Sequence, residues 1–134
     1  MIRDSDWNSD PELKAMREEF IESLGPRAKK LRAPSDLEVT RFIAHNLAGS
    51  AQSFGFASLS EAGGVLDDYL TLEASLDRGL VARFARFLGE MMEKAAATRV
   101  DPADMLQHAV MDELRKKIIS ADGSLPAGAK PGSS

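Results

Sequence analysis

Apolar residues recur every three or four positions between about residues 10 and 120, and no segment alternates as a β-strand does. This spacing predicts amphipathic helices. The first begins at residues 9–12, where Asp10 can cap free amides and Pro11 needs no hydrogen-bond partner. Its apolar stripe consists of Leu13, Met16, Phe20 and Leu24. The Gly25-Pro26 pair is expected to interrupt or kink this helix before it resumes through Leu31.

Two capping boxes predict the next helix starts. Residues 35–38 read Ser-Asp-Leu-Glu, a pattern in which the serine and glutamate side chains each satisfy a free backbone amide. The helix that follows should run to about Phe54, where Gly55 can adopt the left-handed conformation that stops a helix. Residues 58–61, Ser-Leu-Ser-Glu, repeat the box and predict the start of a third helix.

The remaining stripes complete an all-α chain. The third helix should bury Leu59, Ala62, Leu66 and Tyr69 or Leu70, and the fourth Leu80, Phe84, Phe87, Leu88 and Met91. Asp101-Pro102 predicts the start of a fifth, with the stripe Leu106, Val110, Leu114 and Ile118. Short connections favour an antiparallel four-helix bundle, which the additional C-terminal helix either lengthens or equips with an interaction surface.

The predicted boundaries follow from these patterns. Residues 1–8 should be flexible, and the bundle should occupy residues 9–120, with its core in 10–95 and the extra helix in 101–119. The small and Pro/Gly-rich residues 121–134 are expected to form a disordered tail.

Composition excludes several functions. The 134 residues carry 17 Lys+Arg against 21 Asp+Glu, a net charge of −4 that argues against nucleic-acid binding. The absence of cysteine excludes disulfides and thiolate chemistry. No apolar run is long enough for a membrane span, and the polar N-terminus is not a signal peptide, so a cytoplasmic protein is expected.

The segment with candidate chemistry is residues 42–56. On a helical wheel Ile43, Leu47, Ser50 and Phe54 form the buried stripe, and His45 lies about 160° from Ile43, on the outward face. Its neighbours on that face are Arg41, Ala48, Gly49 and Gln52. A mid-helix glycine costs about 1 kcal/mol. Gly49 therefore allows close approach either to another macromolecule or to another helix of the same bundle.

His45 alone is compatible with an ordinary surface histidine. A metal site would need a ligand three or four residues on, where Ala48 and Gly49 stand, so no metal is expected. Neither Ser50 nor Ser53 is marked as an activated nucleophile. What remains is the neutral imidazole itself, which can attack phosphorus.

The run from His45 to Gly49, with Leu47 between them and Gly55 ten residues after the histidine, resembles the signature of histidine-phosphotransfer (HPt) domains. The resemblance covers about residues 10–95. It implies a four-helix bundle that carries a phosphoryl group on His45 between receiver-domain aspartates, or from a histidine kinase or hybrid kinase. It also implies no enzymatic activity of its own and no cofactor, since the receiver domain supplies the carboxylates and Mg²⁺. A monomer suffices for such a carrier.

The chain departs from the family pattern at Ala48, where the family has a lysine that can help neutralise the phosphoryl group. Arg41 is the best substitute, with Gln52 as a candidate hydrogen-bond donor, although either can be an ordinary solvated residue. The departure leaves open a non-catalytic docking module of the same fold. A kinase fragment is disfavoured because Asn46, not an acidic residue, follows the histidine. His108 is expected to be a plain surface histidine.

Overall fold

A computed structural model describes residues 11–32, 36–72 and 76–123, and in these ranges the chain is helical without strands. The α-helices are α1 (Pro11–Arg32), α2 (Leu37–Ser50), α3 (Ala57–Leu70), α4 (Arg78–Thr98) and α5 (Ala109–Gly123), with 3₁₀ turns at Ala51–Phe54 and Ala103–Gln107. The predicted all-α class is confirmed. The predictions for residues 1–8 and for 124–134 of the tail lie outside the described residues, and the tail's predicted start at 121 is wrong because α5 continues to Gly123.

Helix α1 is continuous through Gly25-Pro26, so of the two predicted effects the interruption is wrong, and the kink stays a prediction. A proline inside a helix removes one backbone hydrogen bond. Pro26 and the residue four positions earlier, Glu22, are both exposed, so water can reach the carbonyl left without a partner. Met16 also departs from the prediction, because half of its surface is exposed whereas Phe20 and Leu24 are buried.

Some helix ends are stabilised by residues nearby in the sequence and others by residues far along the chain. Asp36 caps α2 by accepting a hydrogen bond from the Glu38 amide, while Ser35 of the predicted capping box lies outside the described residues. Beyond α2, the 3₁₀ turn ends at Gly55, whose φ of 89° confirms the predicted left-handed stop. The second predicted box is wrong. Ser58 lies inside α3, and its amide and hydroxyl both donate to Asp101, 43 residues away.

Helices α1 to α4 form an antiparallel four-helix bundle in which α2 pairs with α3 and α1 pairs with α4. Every residue predicted to face inward on α3 and α4 is buried, including both Tyr69 and Leu70. Two glycines allow the paired helices to approach closely. A Cβ on Gly63 would lie 2.9 Å from the Ala44 carbonyl oxygen of α2, and one on Gly89 would lie 3.3 Å from the Ala28 carbonyl oxygen of α1.

The predicted C-terminal helix is two segments, because the chain is extended at His108 between the 3₁₀ turn and α5. Val110, Met111 and Leu114 are buried against the bundle, and Leu106 and Ile118 are partly buried. Helix α5 packs on α3 and α4, and both of its predicted roles, lengthening the bundle and forming an interaction surface, stay predictions. None of the helices in the described ranges is both long and apolar enough to cross a membrane.

Candidate functional site: an exposed histidine on the second helix

His45 lies midway along α2 with its ring in solvent. The helix buries Thr40, Ile43, Ala44 and Leu47 against the bundle. Position 45 therefore points away from the core, and 78% of the His45 side chain is exposed. The exposure predicted from the helical wheel is confirmed.

A carboxylate from α3 contacts the ring, and sequence reasoning missed it. The Nδ1 of His45 lies 3.0 Å from Oδ2 of Asp67, whose side chain is only 20% exposed. A carboxylate can only accept, so Nδ1 of the neutral ring carries the proton and Nε2 keeps its lone pair. Asp67 thus orients the imidazole and favours the tautomer in which the outer nitrogen, Nε2, keeps its lone pair.

Small residues set the spacing between the two helices at this point. Gly63 stands one turn before Asp67, and a Cβ placed on it would lie 2.9 Å from the Ala44 carbonyl oxygen and 3.2 Å from the Ala48 amide nitrogen of α2. The hydroxyl of Ser60 donates to the Ala48 carbonyl oxygen at 2.8 Å. Ala48 is half-buried at this crossing, and its position on the face around His45 stays a prediction. A small residue at position 48 suits the α2–α3 contact.

Gly49 lies on the open side. A Cβ placed on this glycine would have no neighbour within 4 Å, and the residue is exposed. Of the two explanations for the glycine, packing by another helix of the bundle is therefore wrong for the described residues. Access by another macromolecule, the other explanation, stays a prediction.

The His45 ring borders a cleft of about 470 Å³ at the surface between α2 and α3. The cleft is lined by Glu38, Arg41, Phe42, His45, Asp67 and Thr71. The structure therefore brings Arg41 into the same cleft as the histidine, as the sequence suggested. Gln52 is exposed but belongs to the 3₁₀ turn after α2, and it does not line the cleft.

Asn46, the residue after His45, is held by α1, whereas Asp67 contacts the His45 ring from α3. Arg27 of α1 donates to the Asn46 side-chain oxygen at 2.8 Å. This bond joins α1 to α2 beside the exposed ring. Among the described residues, no group of three or more His, Asp or Glu side chains is arranged to hold a metal ion.

His108 has a structural contact of its own. Its Nδ1 accepts a hydrogen bond from the Val110 amide at 3.1 Å, at the start of α5, and its ring packs on Phe87 with 4.7 Å between centroids. The side chain thus caps a helix and is more than the plain surface histidine predicted.

In this helical bundle a carboxylate orients an exposed histidine, and an exposed glycine lies one turn further along the same helix. This arrangement has the form of a histidine carrier. A family model described as the Hpt domain matches residues 13–116, and the chain belongs to this family. The match extends beyond residue 95 into α5 and so includes His108, contrary to the prediction. Searches among curated proteins and solved structures gave no match. Hpt domains transfer phosphoryl groups through a histidine in phosphorelays, interact with histidine kinases and receiver domains, and are not independent catalysts.

Proposed function

We propose that this protein is a phosphorelay carrier in which Nε2 of His45 receives the phosphoryl group from a receiver-domain aspartate, or from a histidine kinase, and passes it to another receiver. The observation that carries the proposal is the geometry of the ring. It is 78% exposed, and its inner nitrogen is engaged by Asp67. The outer nitrogen is therefore both nucleophilic and reachable by a partner.

The chemical step is a displacement at phosphorus. The Nε2 lone pair attacks the phosphorus of the aspartyl phosphate, the P–N bond forms, and the P–O bond to the acyl group breaks. The aspartate leaves as a carboxylate. No proton is transferred, because Nδ1 keeps its hydrogen on Asp67 and the positive charge that develops on the ring lies beside that carboxylate. The reverse step regenerates the neutral imidazole.

The partner supplies what this chain lacks. Phosphoryl transfer needs positive charge around the equatorial oxygens. Position 48 is alanine, and Arg41 is the cation in the cleft that His45 borders. Mg²⁺ held by the receiver domain is expected to provide most of the charge compensation. The chain accordingly acts without a cofactor of its own, as a monomer whose His45 face stays open.

Phosphate labelling tests the proposal. Receiver domains of the source organism, charged with a small-molecule phosphodonor in the presence of Mg²⁺, should transfer acid-labile, base-stable phosphate to the protein. His45→Gln should abolish the label. His108→Gln is the matched control and should label normally, because His108 caps α5 away from the cleft. Labelling of the His45→Gln variant would contradict the proposal, and receiver binding without any label in the wild type would identify a docking module.

Asp67 offers a second test that acts on the ring without removing it. In Asp67→Asn the carboxylate that holds the Nδ1 proton becomes a neutral amide, so the tautomer and the developing charge are both less well stabilised. A hydrogen bond to a charged partner contributes about 1.5–3 kcal/mol, less at an exposed site. The transfer rate should fall several-fold, with the helical circular dichroism unchanged. Asp68→Asn, one position on and exposed, is the control.

A further inference from the structure

A second cleft lies at one end of the bundle, next to the cleft of His45. Its volume is about 220 Å³, and its walls come from the start of α2, the end of α3 and the start of α4. We call it the Arg78 cleft. The residues that line it are Leu37, Glu38, Arg41, Leu70, Leu76 and Arg78. Because Glu38 and Arg41 also line the cleft that His45 borders, the two clefts are adjacent and share a cation.

Three leucines form the apolar part of the Arg78 cleft. Leu70 is buried, and Leu37 and Leu76 are partly buried against the same core. Since these side chains are packed on the bundle, the apolar floor is largely formed before any ligand arrives. Sites for drug-sized ligands measure about 300–1,000 Å³. A cleft of about 220 Å³ therefore suits a smaller molecule with a short apolar chain.

The polar residues of the cleft carry an excess of positive charge. Arg41 and Arg78 contribute two guanidinium groups against the single carboxylate of Glu38. Both arginines are exposed, and neither forms a salt bridge to a residue that the structure describes. Four other arginines each pair with a glutamate, namely Arg32, Arg83, Arg99 and Arg115. In a chain of net charge −4, two adjacent cations thus stand available to an anion.

We propose that the Arg78 cleft binds a small aliphatic carboxylate, with the carboxylate between Arg41 and Arg78 and the apolar chain on the three leucines. A guanidinium group pairs well with a carboxylate, and Glu38 at the rim disfavours a more highly charged anion. A bound carboxylate would pair with Arg41 and so withdraw positive charge from the cleft of His45. The site itself is independent of the proposed function, whereas this effect on phosphoryl transfer rests on it.

An NMR titration of the whole chain with sodium hexanoate tests the binding. The backbone amides of Leu37, Arg41, Leu76 and Arg78 should shift and reach saturation. The dissociation constant should be about millimolar, because a ligand of few atoms at an open site gains little binding free energy. Acetate has the carboxylate without the chain, and hexanol has the chain without the carboxylate. Neither should saturate these shifts at concentrations at which hexanoate does.

A matched pair of variants tests the cationic rim. Arg78→Glu replaces attraction by repulsion and should weaken hexanoate binding about fivefold or more. Arg86→Glu is the control, since it changes the net charge equally and Arg86 is exposed on the same helix but does not line the cleft. Its affinity should stay within about twofold of the wild type. Phosphoramidate, a small donor that needs no docked partner, should label His45 equally in both variants and so show an intact ring.

Transfer from a phosphorylated receiver domain tests the coupling to His45. Saturating hexanoate should lower the maximal transfer rate of the wild type about two- to fivefold, because the charge of an exposed arginine has a modest effect. The half-saturating receiver concentration should not change, since the carboxylate acts on Arg41 and not on the partner. Arg78→Glu should need more hexanoate for the same effect. A raised half-saturating concentration with an unchanged maximal rate would mean that the ligand obstructs the partner, and would overturn the coupling through Arg41.

The other outcomes separate the site from the proposed function. If hexanoate gives no saturable shift, or if Arg78→Glu and Arg86→Glu weaken binding equally, the site is wrong although the proposed function stands. If hexanol binds as hexanoate does, only the apolar floor takes part and the carboxylate site is wrong. Hexanoate binding in a protein that accepts phosphate from neither donor would overturn the proposed function and support the site. Binding without any change in the transfer rate would contradict the coupling to His45.

Discussion

The glycine pair in α3 gives a sharp test of how the two helices of the site are held. Gly63 and Gly64 are neighbours in the interior of the same helix, so alanine gains the same helix propensity at each, about 1 kcal/mol. Their surroundings differ. A Cβ on Gly63 would lie 2.9 Å from both the Ala44 carbonyl oxygen and the Leu47 Cβ, whereas one on Gly64 would make an ordinary contact at 3.8 Å with Ala48.

Gly64→Ala should therefore stabilise the fold by about 0.5–1 kcal/mol. Gly63→Ala forces the new methyl group against the α2 backbone and the Leu47 Cβ, an overpacking that costs about 1–3 kcal/mol and offsets or exceeds the propensity gain. The two variants should differ by about 1–3 kcal/mol in the free energy of unfolding, measured by urea denaturation followed by circular dichroism, with equal m-values. Equal stabilities would refute the close crossing of α2 and α3.

The same substitution should affect the histidine. Asp67 stands four residues after Gly63 on the α3 face that contacts α2, so separating the helices lengthens the bond between Asp67 and His45. Gly63→Ala should then lower the transfer rate in the same direction as Asp67→Asn, while Gly64→Ala leaves it nearly unchanged. Normal transfer in a destabilised Gly63→Ala would mean that the imidazole does not depend on this spacing.

Three further predictions concern other parts of the fold. Gly49→Ala should slow transfer from a receiver but not from phosphoramidate, because its methyl group enters the open space that a partner would occupy; equal slowing would contradict this. Asp101→Ala should cost about 1–3 kcal/mol in urea denaturation, since Ser58 at the start of α3 loses both of its bonds to that carboxylate. The Arg83 guanidinium holds the pKa of Glu113 below its ordinary value through a two-fold hydrogen bond. This contribution is present above the unfolded pKa, about 4.3, and is lost as pH falls through the lower folded pKa, so Glu113→Gln should be less stable than wild type near neutral pH and equal to it in strong acid.

Much of the fold followed from the sequence where the determining contact is local, although Met16 and the Gly25-Pro26 pair show that local patterns can also fail. Burial along α3 and α4 could be predicted because helical period alone decides which residues face a common core, and the exposure of His45 follows from the same period. The stop at Gly55 was predictable because a left-handed backbone favours glycine. The capping box at residues 58–61 failed for the opposite reason. Its serine is satisfied by Asp101, 43 residues away, and no local pattern reports such a partner.

The residues of the candidate site also divide into those that a local pattern predicts and one that it does not. His45, Arg41 and Gly49 lie on one helix, so a helical wheel could group them. Asp67 is 22 residues from the histidine and enters only through the register of α2 against α3. A usable signal does exist in the sequence. Gly63 and Ala48 are small residues on two adjacent helices, and a carboxylate one turn beyond such a crossing is a candidate partner for a side chain on the facing helix.

The openness of the His45 site has a consequence for the energetics of a carrier. A phosphoryl group on Nε2 would stand in water, with Arg41 as the cation in its cleft and the Asp67 carboxylate behind the ring. A pocket that bound the phosphorylated ring tightly would stabilise the intermediate without stabilising the transition state, and so would raise the barrier to onward transfer. A site that binds the phosphoryl group weakly does not raise the barrier to onward transfer in this way. On the proposed function, rate and specificity are then properties of the complex with the partner. Substitutions on the open face of α2 around His45 should therefore affect transfer between proteins far more than reaction with small donors, whereas Asp67→Asn, which acts on the ring itself, should slow both.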